Sequence, residues 1–317
     1  MRRRSTYGAI ALAAAATISM TLSGCDVPFV SQNTRSYDEA RAAQTAALKP
    51  KVESSALKNQ GYLTVGLRTT RSTVPFYYAS DAGDIAGIDV DVASCLASEL
   101  GLKVRFVSAA STSKGLEGDC DIVMGTASNS DVSGARIVGT YAEQSTAFFR
   151  KGDAGVVSAA DLNGKSVALQ GGSVSQKTLG DSGIAMTQKS CDSLNDCFDA
   201  LAAGSVDYVL CDAYAGAYLA RMYNNLSFAG TLDVPQTAGV AVSSGNAALI
   251  KALGEAMGAV QMDGRLEIVR SHWVGNLPVL TAAEQVKDVP KSVTAATADD
   301  SSGGGLTVGG NASALPA

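Results

Sequence analysis

Apolar residues recur along the middle of the chain in short runs, and the runs alternate between two periods. Tyr62-Leu63-Thr64-Val65-Gly66-Leu67 is a short apolar run of strand type. Downstream, Ile88, Val92, Leu96 and Leu100 repeat every four residues and mark one face of a helix that stops at Gly101. Lys103 to Val107 alternates as a strand, and Asp121 to Met124 is another short apolar run. Ser166 to Leu169 and Asp207 to Leu210 repeat the strand type, with a helical stretch from Leu194 to Ala203 between them. Strands separated by helices of this length predict parallel α/β sheets covered on both faces. The patterned region spans roughly 220 residues with two such runs, which predicts two lobes rather than one. Ligands of open α/β sheets bind beyond the carboxyl ends of the strands, so the residues just after each strand become the candidates.

The ends of the chain follow other rules. Arg2, Arg3 and Arg4 precede an Ala-rich apolar run from Ile10 to Leu22, too short to span a bilayer and ending in small residues. That reads as a signal peptide over residues 1–24. Leu22-Ser23-Gly24-Cys25 resembles a lipobox, which implies a lipid on Cys25 and attachment to the bilayer on the outer, extracytoplasmic face of the cell membrane. Residues 25–58 are rich in Ala, Ser, Gln and Lys and read as a tether. Residues 277–317 lose periodicity, end in Gly- and Ser-rich sequence, and are expected to be disordered.

Charge and cysteine use narrow the function. The chain carries 25 Lys+Arg against 30 Asp+Glu, and loss of the leader arginines makes it more acidic. That is a poor surface for nucleic acid. With Cys25 assigned to lipid, five cysteines remain, and some should pair outside the cytoplasm. Cys95 with Cys120 is one pair to expect, and two of Cys191, Cys197 and Cys211 another. His272 is the only histidine and no C-x-x-C occurs, so neither a metal site nor a cofactor is expected. The single histidine also leaves no Ser-His-Asp or Cys-His set.

At Gly87-Ile88-Asp89-Val90-Asp91-Val92-Ala93 the sequence resembles the signature of the polar amino acid-binding family of ABC-transporter solute-binding proteins, family 3. The likeness continues in order through Val74-Pro75-Phe76-Tyr77, Asp161-Leu162-Asn163-Gly164-Lys165, Leu201 to Asp207, Met262-Asp263-Gly264 and Trp273-Val274-Gly275. It implies the α/β, two-lobed periplasmic-binding-protein type II fold, with the ligand in the interlobe cleft and two hinge crossings. The crossings fall near Thr146–Lys151 and Thr231–Ala238. Lobe one is then 59–148 with 235–276, and lobe two is 149–234. The implied function is capture of a polar amino acid by a monomeric, non-enzymatic lipoprotein and its delivery to an ABC permease. A carboxylate-dependent dehydratase-like enzyme on the same fold and a ligand-sensing receptor module are the alternatives.

A zwitterion needs donors for its carboxylate and an acceptor for its ammonium. The resemblance places Arg136 as the carboxylate partner, although the usual acid before it is Ala135 and the spacing from the strand is longer. Thr126 and Ser128 match the paired hydroxyl positions. Gly172 and Ser173 match a loop whose N–H groups at a helix start hold the carboxylate. Asp212, five residues beyond Asp207, matches the acceptor of the α-amino group. Phe76 is placed to cover the ligand. Arg68 and Arg71, after the first strand, resemble the glutamate- and aspartate-binding members, and whichever of the two points inward would attract a side-chain carboxylate. Asp89 and Asp91 open a helix, suit its dipole, and are expected to be structural.

Overall fold

A computed structural model describes residues 48–68 and 74–291. Two five-stranded sheets carry the fold. The first is ordered β4 (Lys103–Ser108), β1 (Tyr62–Leu67), β5 (Ile122–Ala127), β12 (Gln236–Ser243) and β6 (Ala135–Gln144). The second is ordered β11 (Leu226–Thr231), β7 (Thr146–Lys151), β10 (Tyr208–Asp212), β8 (Ser166–Gln170) and β9 (Thr187–Cys191). A short ribbon of β2 (Tyr78–Ala79) and β3 (Ile85–Ala86) stands apart. Parallel pairing joins β1 to β4 and β5, and β8 to β9 and β10, while β6, β7, β11 and β12 pair antiparallel.

Helix α1 (Ile88–Glu99) buries Ile88, Val92 and Leu96, the face that four-residue spacing predicts. That face belongs to one core with Leu63, Val65 and Leu67 of β1. Gly101 then ends the helix with a left-handed φ of +67°, closely packed against the Lys49 backbone, where a side chain would have no room.

The chain leaves the first sheet through Ser145 and returns through residues 232–235. Asp233 joins the two crossings, its carboxylate accepting the Ser145 hydroxyl at 2.6 Å and the Thr146 N–H at 2.7 Å. The segment expected to be the first crossing, Thr146–Lys151, is instead strand β7. Lying between β11 and β10, it buries Ala147, Phe148 and Phe149, and apolar residues on both faces make it an interior strand rather than a link.

Three other expectations change. The end of the tether belongs to lobe one: Val52 is buried, and the Lys51 and Lys58 N–H groups donate to the Leu100 carbonyl and the Asp121 carboxylate. The tail is ordered as far as Lys291. Leu277, Leu280 and Val286 are buried, the backbone bridges Thr231 with Gln285 and Ser158 with Lys287, and the Lys291 N–H reaches the Ser182 carbonyl. Three well-spaced apolar residues suffice because each packs into a core built by other elements. Cys95 and Cys120 cannot pair, since Cys95 packs with the α1 core and Cys120 with Val123 and Ala241 on the other face of the sheet. The leader with Cys25, most of the tether and residues 292–317 lie outside the described residues.

Candidate functional site

The carboxyl ends of the parallel strands in each lobe supply one wall of the candidate site. In lobe two, β10 runs parallel to β8 with Val209 opposite Ala168, so the same register brings Asp212 beside Gly171. Gly172 has a left-handed φ of +70°, and Ser173 caps α4 (Val174–Ser182), its Oγ accepting the Gln176 N–H at 3.2 Å. The Gly172 N–H donates to the Gln176 side chain at 2.8 Å, an exposed partner that an incoming carboxylate can replace. Asp212 caps α6 (Ala213–Ala220), accepting N–H groups from Ala215 and Tyr214. Burial raises its pKa to about 6 against those two bonds, and the Asp233 charge adds to the rise. An acid so placed gains from a cation.

In lobe one, β1 and β5 run parallel with Gly66 opposite Val123, so Arg68 falls beside Gly125. Asp89, the second residue of α1, lies against the same spot: a side chain at Gly125 would meet its Oδ2 at 3.6 Å. Asp89 is 7% exposed, and its Oδ1 accepts the Tyr141 hydroxyl at 2.5 Å. Burial lifts its pKa to about 7, with the Tyr141 bond and then the Arg68 charge pulling it back.

Where the lobes meet, Phe76 of lobe one stacks on Tyr214 of lobe two, with ring centroids 5.0 Å apart and planes 27° from parallel. Behind Tyr214 lies α8 (Arg265–Val274). Its Arg270 donates to the Tyr214 hydroxyl at 2.7 Å and the Glu143 carboxylate at 3.1 Å. Tyr214 donates to the same carboxylate at 3.0 Å, so a buried cation, anion and hydroxyl satisfy one another at the interlobe contact.

Not every expected site residue reaches this region. Arg136 does not: it is exposed, opposite Val242, which in turn lies opposite Ile122 at the start of β5. With strands rising about 3.3 Å per residue, that is roughly 17 Å from the cleft end of the sheet. The loop after β5 returns to the far end of the sheet, where β6 begins, and leaves Arg136 there. Thr126 sits at the right end of β5 but is turned inward, its hydroxyl paired with Thr112 at 3.1 Å in the core. Ser128 is exposed at the rim, its hydroxyl 2.6 Å from that of Thr237. Arg71 lies outside the described residues. Conversely, Asp89, Tyr141 and Tyr214 come into the site without a local signal, apart from the place of Asp89 at a helix start. Asp91, as expected, serves structure by accepting the Trp273 indole N–H at 2.7 Å.

Among the described residues no helix is long and apolar enough to cross a membrane. The sequence profile of the bacterial extracellular solute-binding proteins, family 3, matches residues 63–276. The L-cystine-binding protein TcyJ of Escherichia coli (strain K12) is 28% identical over 233 residues, which is 69% of this chain and 85% of that protein. Two solved structures share the fold. The unliganded, open L-cystine solute receptor of Neisseria gonorrhoeae superposes with a TM-score of 0.60 at 22% identity, over 72% of this chain and 98% of that one. A polar amino acid ABC uptake transporter substrate-binding protein from Streptococcus thermophilus gives a TM-score of 0.62 at 18% identity, over 78% and 96%.

Proposed function

Because the chain belongs to the bacterial extracellular solute-binding proteins, family 3, we propose that it closes its two lobes on a polar amino acid and delivers it to the permease of an ABC transporter. Its matched relatives are binding proteins rather than enzymes. The observation that carries the reading is the pairing in lobe two of half-buried Asp212 with the Gly172–Ser173 helix start. Asp212 accepts the α-ammonium and the backbone N–H groups receive the α-carboxylate, which matches both charges of an amino acid and neither of a neutral sugar. Closure about the crossings at Ser145 and residues 232–235 shuts out water, which strengthens both contacts.

Lobe one selects the side chain. Arg68 beside Asp89 favours a ligand with a second carboxylate, as in glutamate or aspartate. A second reading, cystine, is supported by the 28% identical cystine-binding relative. Cystine also brings a second carboxylate to Arg68, and its second ammonium meets Asp89. The protein acts as a monomer held to the outer, extracytoplasmic face of the cell membrane through lipid on Cys25.

Two measurements test this. Purified protein is titrated calorimetrically with cystine, glutamate, aspartate, glutamine and arginine. Tightest binding by glutamine or arginine refutes the role of Arg68, and silence towards all five refutes the amino acid reading. A ligand at a hundred times its Kd also adds about 2.7 kcal/mol of stability, readable as a thermal shift. For the anchor, Cys25→Ser should release the chain or leave uncleaved precursor, and retention of a processed chain in the membrane fraction contradicts lipidation.

A further inference from the structure

Lobe two gathers three cysteines that the ligand site does not use. Cys191 ends β9, and Cys197 lies six residues on, in the first turn of α5 (Leu194–Ala202). The turn between them is held rigidly. Ser193 caps α5 by accepting the Asp196 N–H at 3.2 Å, while the Asp196 carboxylate returns to the Ser193 N–H at 3.0 Å and to its hydroxyl at 2.6 Å. With the start of α5 pinned this way, Cys197 and Phe198 point into the core and α5 packs across β8 and β9. The Cys197 thiol is thereby set beside that of Cys191, which packs half-buried against the core that holds Cys197 and reaches the Lys189 carbonyl at 3.9 Å. Cys211, on β10, points into the same core but against α6, its sulfur filling the space a side chain at Gly216 would need. Among the described residues no three His, Cys, Asp or Glu side chains converge as a metal site.

We propose that Cys191 and Cys197 form a disulfide in the mature protein, and that Cys211 stays a thiol. Family members are extracellular, where disulfides form and persist. Cys191, the more accessible of the two, attacks as its thiolate one sulfur of an oxidising disulfide, either a thiol–disulfide oxidoreductase or a small-molecule disulfide. Cys197 then displaces the mixed disulfide. The new S–S bond replaces the oxidant's own, and the oxidant departs as two thiols carrying the two protons and the electron pair.

The bond has a structural consequence beside the ligand loop. The Cys191 carbonyl accepts the Gly171 N–H at 3.4 Å, and the Asp192 carbonyl accepts the Gln170 side-chain amide at 3.2 Å. Crosslinking Cys191 to α5 therefore also steadies the end of β8, from which Gly172 and Ser173 continue.

The test is thiol mapping on protein purified from the secreting culture. Denaturation in iodoacetamide without reductant, followed by cleavage before aspartate, separates the two cysteines, because Asp192 and Asp196 lie between them. The expected product is a Cys191–Cys197 linked peptide two hydrogens lighter than the separate pieces, with Cys95, Cys120 and Cys211 alkylated. Cys211→Ser should retain the link. Alkylation of all five, or a bridge that includes Cys211, overturns the assignment. Amide exchange at residues 171–173 should speed up on reduction, and unchanged protection there rules out the loop-steadying role. Neither readout depends on which ligand the protein binds.

Discussion

Asp89→Asn isolates the largest electrostatic cost in lobe one. Asp89 is almost fully buried, and desolvation outweighs both the Tyr141 hydrogen bond and the Arg68 charge, so its pKa rises from 3.8 to about 7. The gap of about three pH units, at about 1.36 kcal/mol each, means that holding Asp89 ionised in the folded state costs about 4 kcal/mol. The folded carboxyl binds its proton more tightly than the unfolded one. Its contribution to stability is therefore complete below about pH 4 and is lost as pH rises through about 7. Asparagine keeps an oxygen for the Tyr141 hydroxyl but buries an NH2 where Oδ2 stood, near Gly125, at a cost of about 1–3 kcal/mol. The variant should therefore be less stable than wild type by about 1–3 kcal/mol near pH 4 and more stable by about 1–3 kcal/mol near pH 8. Urea denaturation of ligand-free protein across that range measures the difference. Comparing the two proteins cancels Asp212 and Asp233, whose pKa values burial also raises. A difference that stays constant with pH, or an advantage for wild type that grows as pH rises, would refute the reasoning.

Two further outcomes follow from the geometry. Arg136→Ala should leave ligand affinity unchanged, whereas Asp212→Asn should weaken it by about 2–5 kcal/mol as the ammonium loses a charged partner that lobe closure shields from water. Calorimetry that finds Arg136→Ala the more damaging would place the carboxylate site on β6. Val286→Ala, in the ordered part of the tail, should cost about 2 kcal/mol and lower Tm by about 4–8 °C, and an unchanged Tm would mean that this strap adds nothing to lobe two.

The sequence was most legible where structure is set by near neighbours. The Ile88–Leu100 spacing, the strand runs and the stop at Gly101 all encode elements within a dozen residues, and the structure has them. Asp212 and Gly172–Ser173 were readable for a related reason: a residue at the carboxyl end of a parallel strand stays at the cleft whatever else the sheet does. Arg136 failed that condition. It follows a strand end in sequence, but residues 128–134 carry the chain back to the far end of the sheet, and Arg136 stands at the start of β6, which only then runs towards the cleft. Asp89 failed in the opposite direction. It reads as an ordinary helix opener, and only Gly125 and Tyr141, from strands far along the chain, enclose it and turn its charge into a cost. The ordered tail belongs to the same class, because Leu280 and Val286 share no period and gain their order from distant elements. Position along a strand survives into the fold, whereas burial is conferred by residues the local pattern never sees. The place of Asp212, Gly172 and Ser173 at the strand ends could therefore be read in advance, while the burial of Asp89 could not.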